Sequence, residues 1–191
     1  MKKTHLPIII LLAAAPLAVF PQTAKKTGDV KFTSVYTDLD KDCKDAWVGK
    51  DKKEALSRGQ DIPQKCKGFG GYTPYISYSA IESYLSLRKG DDENSFVSVR
   101  PNDSKFIEQP GGKLEWRLAN GKPFAVIVRF AHFKSDYEGD APFDTKNKTG
   151  ESLVVKGLQG FEKIDFELDA KTPNANQKAR DLADAEFGKG K

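Results

Sequence analysis

The dipeptide Asn120–Gly121 stands between two apolar runs in the stretch KLEWRLANGKPFAVIVRFAHF, residues 113–133. Both residues tolerate the positive φ that a two-residue hairpin turn demands, so this is the strongest short-range signal for a β-hairpin that a chain can carry. Such a turn sets Ala119 opposite Lys122. The ladder then pairs Trp116 with Ala125 and Leu114 with Ile127 on one face, and Glu115 with Val126 and Arg117 with Phe124 on the other. The first strand is apolar on one face and the second on both. Residues 124–130 are therefore expected to form a central strand covered on two sides.

Period-two alternation marks further strands at residues 30–37, 72–80, 81–89, 95–100, 152–156 and 161–168. Pro74 argues for an edge strand or a bulge. Residues 38–65 are polar, with a short helix over 52–57, and residues 110–112 (PGG) break the chain before the hairpin. Ala175, Ala179, Leu182, Ala183 and Phe187 recur at helical spacing after the Thr172-Pro173-Asn174 start, and Gly188 ends the helix. Lys178, Arg180, Asp181 and Asp184 lie elsewhere on the wheel. The narrow alanine stripe suits close packing against a sheet. About seven strands and one terminal helix make an α+β fold. The expected architecture is a mostly antiparallel sheet or sandwich with one C-terminal helix. The alternative is an all-β barrel or sandwich with a peripheral helix.

Lys2 and Lys3 precede an uninterrupted apolar run over residues 6–20, and a small residue, Ala24, follows. This is the pattern of a secretory signal peptide over residues 1–24, with Ala18 as the other cleavage point. The run is shorter than the ~20 residues of a spanning helix and holds Pro7 and Pro16. No Cys lies just after the run, so a lipid-anchored lipoprotein is not expected. The expected product is a single domain over residues 25–191, with an ordered core from about 30 to 187, in the periplasm or outside the cell. No second apolar stretch is long enough to span a bilayer. The sequons at Asn102 and Asn147 matter only in a eukaryotic source. The formal charge of +4 falls to +2, from 29 basic and 27 acidic side chains, once Lys2 and Lys3 are removed. A near-neutral chain does not fit a nucleic-acid binder. A monomer is expected.

The chain's two cysteines, Cys43 and Cys66, lie in the part expected to be exported. They are expected to form a disulfide. Loop-closure entropy assigns roughly 3 kcal/mol to a bridge over a loop of this size. Their spacing is far from that of a redox or zinc pair, and His132 is the one histidine beyond the signal segment.

Asp38, Asp40 and Asp42 alternate as a calcium loop begins, but Cys43 stands where such a loop needs its Gly, and Gly49 where it needs a Glu. A solvated turn is the expected reading. Residues 68–71 (GFGG) lack the Lys-Ser/Thr of a phosphate loop and read as a turn beside the disulfide. His132, beside Phe130 and Phe133, reads as structural. No residue is assigned a catalytic role, and no metal or cofactor is implied. Tyr72, Tyr75, Tyr78 and Tyr84, with Trp47, offer apolar area with polar tips. Tyr72, Tyr75, Tyr78 and Trp47 are the candidate binding residues.

The segments SVYTDL, CKGFGGY, KLEWRLANGKPFAVIVRF and TPNANQKARDLAD, in this order, resemble a family of secreted or periplasmic bacterial proteins that has no assigned activity. The resemblance implies a bacterial, exported single domain and carries over no catalytic residue. Members of that family carry further cysteines near the C-terminus, and this chain has none after Cys66. Three functions are therefore weighed. The first is a non-catalytic exported binding or inhibitor-like module, acting on an envelope or extracellular ligand through the tyrosines near the disulfide. The second is a cell-envelope hydrolase built on His132 or on Asp38, Asp40 and Asp42. The third is a calcium-stabilised structural protein.

Overall fold

The computed structural model describes residues 30–79, 82–90, 92–102, 107–136 and 143–189. The expected signal segment, Ile81 and the Asp103-Ser104 part of the first sequon lie outside the described residues. In chain order the elements are β1 (Phe32–Asp38), β2 (Cys43–Asp45), α1 (Gly49–Ser57), β3 (Gln64–Cys66), β4 (Tyr72–Tyr78), β5 (Ser83–Lys89), β6 (Asp92–Val99), β7 (Ile107–Ala119), β8 (Lys122–Phe133), a 3-10 turn (Thr145–Asn147), β9 (Lys148–Gly157), β10 (Asp165–Asp169) and α2 (Ala175–Phe187). The strands form two five-stranded antiparallel sheets, ordered β1-β7-β8-β9-β10 and β2-β3-β4-β5-β6. The fold is α+β, with α2 as its C-terminal helix.

Three layers result. Leu114, Trp116, Val126, Val128, Phe130 and Val154 of the first sheet pack against Tyr72, Ile76, Leu85, Leu87 and Val99 of the second. On its opposite face the first sheet packs Phe124, Ala125, Ile127, Leu153 and Val155 against Ala175, Ala179 and Ala183 of α2. β8 is thus central and buried on both faces, as its two-sided apolar sequence requires. The alanine stripe lets the helix backbone approach the sheet closely. The short helix expected over 52–57 begins earlier, at Gly49, and buries only Ala55.

The hairpin turns at Asn120–Gly121, with φ of 50° and 79°, and Ala119 pairs with Lys122 as expected. Beyond that the ladder differs from the simple register. Leu118 pairs with Pro123 and Arg117 with Ala125, which leaves Phe124 as the extra residue of a bulge. Trp116 therefore faces Val126 rather than Ala125, and Leu114 faces Val128 rather than Ile127. Glu115 meets Ile127 rather than Val126. Pro123 cannot donate a ladder bond, and the slip turns Phe124 and Ala125 together toward α2, where the Phe124 ring is buried.

Three other expectations need correction. Residues 110–112 do not break the chain. They lie in a second bulge inside β7, where Pro110 pairs with Phe130 and Leu114 with Val128. The end of β1 crosses there: the Leu39 N–H bonds the Gly112 carbonyl at 2.8 Å. A Cβ on residue 112 would lie 1.9 Å from Asp40 Oδ2, so a larger residue there would require the exposed Asp40 carboxylate to turn away. Residues 161–164 are a tight turn, not the start of a strand, with the Ile164 N–H on the Phe161 carbonyl at 2.9 Å. Phe161 and Ile164 are drawn into the core under α2, and the strand begins at Asp165. Finally, β4 is not an edge strand. It lies between β3 and β5, and the β3 ladder reaches only Tyr75 and Ile76. Pro74 falls just past the end of that ladder, where a missing N–H costs no bond.

Glu115 and Arg117 sit on the apparently polar face of β7, yet they are 7% and 8% exposed. The helix covers them and brings their partners. Arg117 Nε donates to Asp184 Oδ1 at 2.7 Å, and Arg180 Nε donates to Glu115 Oε1 at 2.7 Å. Arg117 also donates to Ser34 Oγ at 3.1 Å, and Arg180 to the Tyr36 hydroxyl at 2.8 Å. The Glu115 carboxylate beside Arg180 raises the guanidinium's pKa above its ordinary value. Removing one member strands a charge in a site shielded from water. Arg117→Ala is expected to lower stability by about 3 kcal/mol. A urea-denaturation double-mutant cycle with Asp184→Ala should return a coupling of about 0.5–3 kcal/mol.

Candidate functional site

The first sheet is covered on both faces, but the second is packed on one face and open on the other. Alternation sorts its side chains. Along β4, Tyr72, Pro74 and Ile76 are buried, whereas Thr73, Tyr75 and Ser77 point outward. Along β5, Ser83, Leu85 and Leu87 are buried, whereas Tyr84, Ser86 and Arg88 point outward. Phe96 and Ser98 of β6 share the outer face, and Phe96 is 53% exposed. Lys65 of β3 pairs with Tyr75 and lies on the same side.

These residues form an alternating row across four strands. Lys65 Nζ lies 5.9 Å from the Tyr75 ring centroid. Arg88 Cζ lies 5.3 Å from the same centroid and 5.9 Å from that of Phe96. Strands spaced about 4.8 Å apart make the row about 14 Å long. Thr73, Ser77, Ser86 and Ser98 lie on the same face and surround it with hydroxyls. Each cation is held against an aromatic face, which keeps its charge at the surface and limits its rotamers.

The β2–β3 pair that carries Lys65 is itself stapled. Cys43 and Cys66 are directly opposite in the ladder and form a disulfide across a sequence separation of 23. The bridge closes the loop that holds α1. It ties a three-residue strand to the sheet that such a short strand does not hold alone.

The structure does not gather the four candidate binding residues. Tyr75 stands in the middle of the outer row. Tyr72 faces the core with its ring 6.3 Å from that of Trp116. Tyr78 ends β4 on the inner side, 40% exposed, where burial and then the Asp40 charge push its hydroxyl pKa up. Trp47 lies in the connection from β2 to α1, 40% exposed. Tyr84 shares the outer face, and its hydroxyl donates to the Glu82 carboxylate. Phe96, Arg88 and Lys65 were not singled out from the sequence. The signal that places Arg88 and Phe96 was present: with Leu87 and Val97 inward, residues 88 and 96 must point outward.

The acidic segment forms a turn. Asp38 Oδ1 accepts the N–H groups of Asp40 at 2.9 Å and Lys41 at 2.8 Å, and Asp38 Oδ2 accepts from Lys113 Nζ at 2.5 Å. Among the described residues no group of three or more His, Cys, Asp or Glu is placed to hold a metal ion. His132 and Ser152 are buried side by side on β8 and β9, with His132 Nε2 2.9 Å from Ser152 Oγ. They line one wall of an open hollow of about 270 Å³ that Glu167 and Asp169 also border. Asp38, Asp40 and Asp42 do not line it. No helix among the described residues is long and apolar enough to cross a membrane. Comparison with protein-family models, curated proteins and solved structures finds no match to this chain.

The Lys113 ammonium, and after it the two backbone N–H groups, hold the Asp38 carboxyl well below the usual carboxylate range. A depressed pKa in the folded state stabilises the fold above the unfolded value of about 3.9, and this is lost as the pH falls toward the folded value. Asp38→Asn should therefore melt below the parent at pH 7. The gap should narrow progressively as melting curves are repeated below about pH 5.

Proposed function

We propose that this chain is an exported, non-catalytic binding module whose ligand is an acidic polysaccharide lying across the outer face of the second sheet. The observation that carries this reading is the row Lys65–Tyr75–Arg88–Phe96 on an open, hydroxyl-rich face. The C–H faces of sugar rings are apolar and stack on Tyr75 and Phe96, as other apolar surfaces do on aromatic rings. Carboxylates along the polymer meet Lys65 and the forked guanidinium of Arg88. Ser and Thr hydroxyls beside the row exchange hydrogen bonds with sugar hydroxyls. A sheet face suits an extended polymer, because it offers successive strands at a regular step. Export to the periplasm or the exterior is supported by the cationic start and apolar run of the sequence and by the disulfide. The resemblance to exported bacterial proteins agrees with it.

Oligogalacturonate titrated into the protein at low salt should bind, weaken steeply as salt rises, and outcompete an uncharged glucan of equal length. Tyr75→Ala, Phe96→Ala and Arg88→Glu should each reduce affinity at least about tenfold, and Phe96→Ala and Arg88→Glu should do so with an unchanged melting temperature, since both side chains are exposed. Equal affinity in the three variants would sink the reading.

The hydrolase reading has one observation in its favour, the 2.9 Å contact between His132 and Ser152 beside the hollow. A nucleophile and its base stand at such a distance. Ser152 is nevertheless 3% exposed and lies within β9. A fluorophosphonate probe should leave the native protein unlabelled. Labelling that Ser152→Ala abolishes would move the function to hydrolysis.

A further inference from the structure

A concave site lies away from the outer row, at the end of the sandwich where the β7–β8 turn meets the glycine turn before β4. Its volume is about 660 Å³, within the range of small-molecule pockets. The wall is aromatic. Phe124 is turned toward it by the β8 bulge, Phe161 by the tight turn before β10, and Phe187 by the last position of α2. Phe161 and Phe187 stack with centroids 5.3 Å apart, and Phe124 meets Phe187 edge-on at 4.9 Å. Phe161 and Phe187 are only half-buried, so part of this ring cluster faces the opening.

The rest of the lining is polar and cationic. Tyr72 borders the cavity, and the backbone of Gln159 hydrogen-bonds its hydroxyl. Burial pushes that hydroxyl's pKa up, so it remains a neutral donor. Lys89 Nζ sits 5.5 Å from the Tyr72 ring centroid, and Lys122 projects from the first position of β8. These two lysines are the charged groups of the lining among the described residues. The carboxylates in electrostatic reach of Tyr72 are Asp92 and Glu162, and neither lines the cavity. Asp92 Oδ2 accepts from Gln159 Nε2 at 3.4 Å, and Glu162 Oε1 accepts the Gly160 N–H at 2.7 Å.

We propose that this cavity binds a small aromatic carboxylate. The flat ring lies against Phe124, Phe161 and Phe187, and the anionic head sits between Lys89 and Lys122. An apolar molecule without a charge gains nothing from the two ammonium groups at the rim, and a small inorganic anion leaves the aromatic wall wet. A molecule with both parts satisfies both. The site is independent of the outer row, because Tyr72 lies on the inner side of the second sheet and Arg88 on the outer.

The test uses the fluorescent probe anilinonaphthalene sulfonate, which joins a flat aromatic body to an anion. Titrated into the protein, it should bind saturably with one site per chain. 1-Naphthoate should displace it, and the uncharged 1-naphthalenemethanol should compete at least about tenfold less well. Lys122→Glu and Lys89→Glu should each weaken probe binding at least about tenfold, since charge reversal replaces attraction with repulsion. Both residues are exposed, so melting curves should show an intact fold. Arg88→Glu should leave the probe's affinity unchanged. Unsaturable probe binding, equal competition by the uncharged alcohol, or parental affinity in both lysine variants would overturn the proposal.

Discussion

β8 is buried on both faces, and the rest of the molecule is arranged to make that possible. An antiparallel sheet commonly keeps one face in water. A strand that runs Phe124, Ala125, Val126, Ile127, Val128 with every side chain at most 3% exposed has no wet face to offer. Two covers are then needed. The second sheet supplies one through Leu85, Leu87 and Val99, and α2 supplies the other through Ala175, Ala179 and Ala183. Each large apolar side chain buried there contributes about 1.5–3 kcal/mol. With α2 committed to the first sheet, the second sheet keeps a face in solvent. The candidate binding row is a consequence of how one helix was used.

Polar groups decide where the helix sits. An alanine stripe packs closely but specifies position weakly, because small side chains interlock little. The pairs Arg117–Asp184 and Arg180–Glu115 add directional constraints along one side of the stripe, one helical turn apart. Bidentate geometry between a guanidinium and a carboxylate fixes orientation as well as distance. Bulges do comparable work in the sheet. The one at Phe124 shifts the ladder of β8 against β7, and the one at Gly111–Gly112 admits the end of β1. Both let strands of unequal demands share one sheet.

The two proposed sites follow from this layering and use different physics. The outer row lies flat and wet, where cation–aromatic contacts and hydroxyls suit a long ligand bound by many weak contacts. The cavity at the hairpin end is concave and partly dry, where a ring cluster and two lysines suit a small one. The disulfide serves the first site, because it holds β2 and β3, and therefore Lys65, on the edge of the second sheet.

Much of this was legible in the residues. Asn120–Gly121 specified the hairpin, because few other dipeptides accept its backbone angles. The alternation of residues 83–87 specified which side of β5 is buried, and the spacing of Ala175, Ala179 and Ala183 specified the helix and its packing face. The cysteines alone specified a bridge. These are local signals, set by backbone geometry and by the period of the apolar side chains. The tertiary structure decided what depends on partners remote in sequence. Glu115 and Arg117 look solvent-facing in the chain and are buried, because Arg180 and Asp184 arrive more than sixty residues later to neutralise them. The bulge at Phe124 is invisible in a period-two pattern, since a strand apolar on both faces accepts either register. Tyr72 and Tyr75 look alike three residues apart, yet an odd spacing on a pleated strand sends one into the core and the other to the open face. Only the stacking of the layers determined which of those faces is left open to solvent.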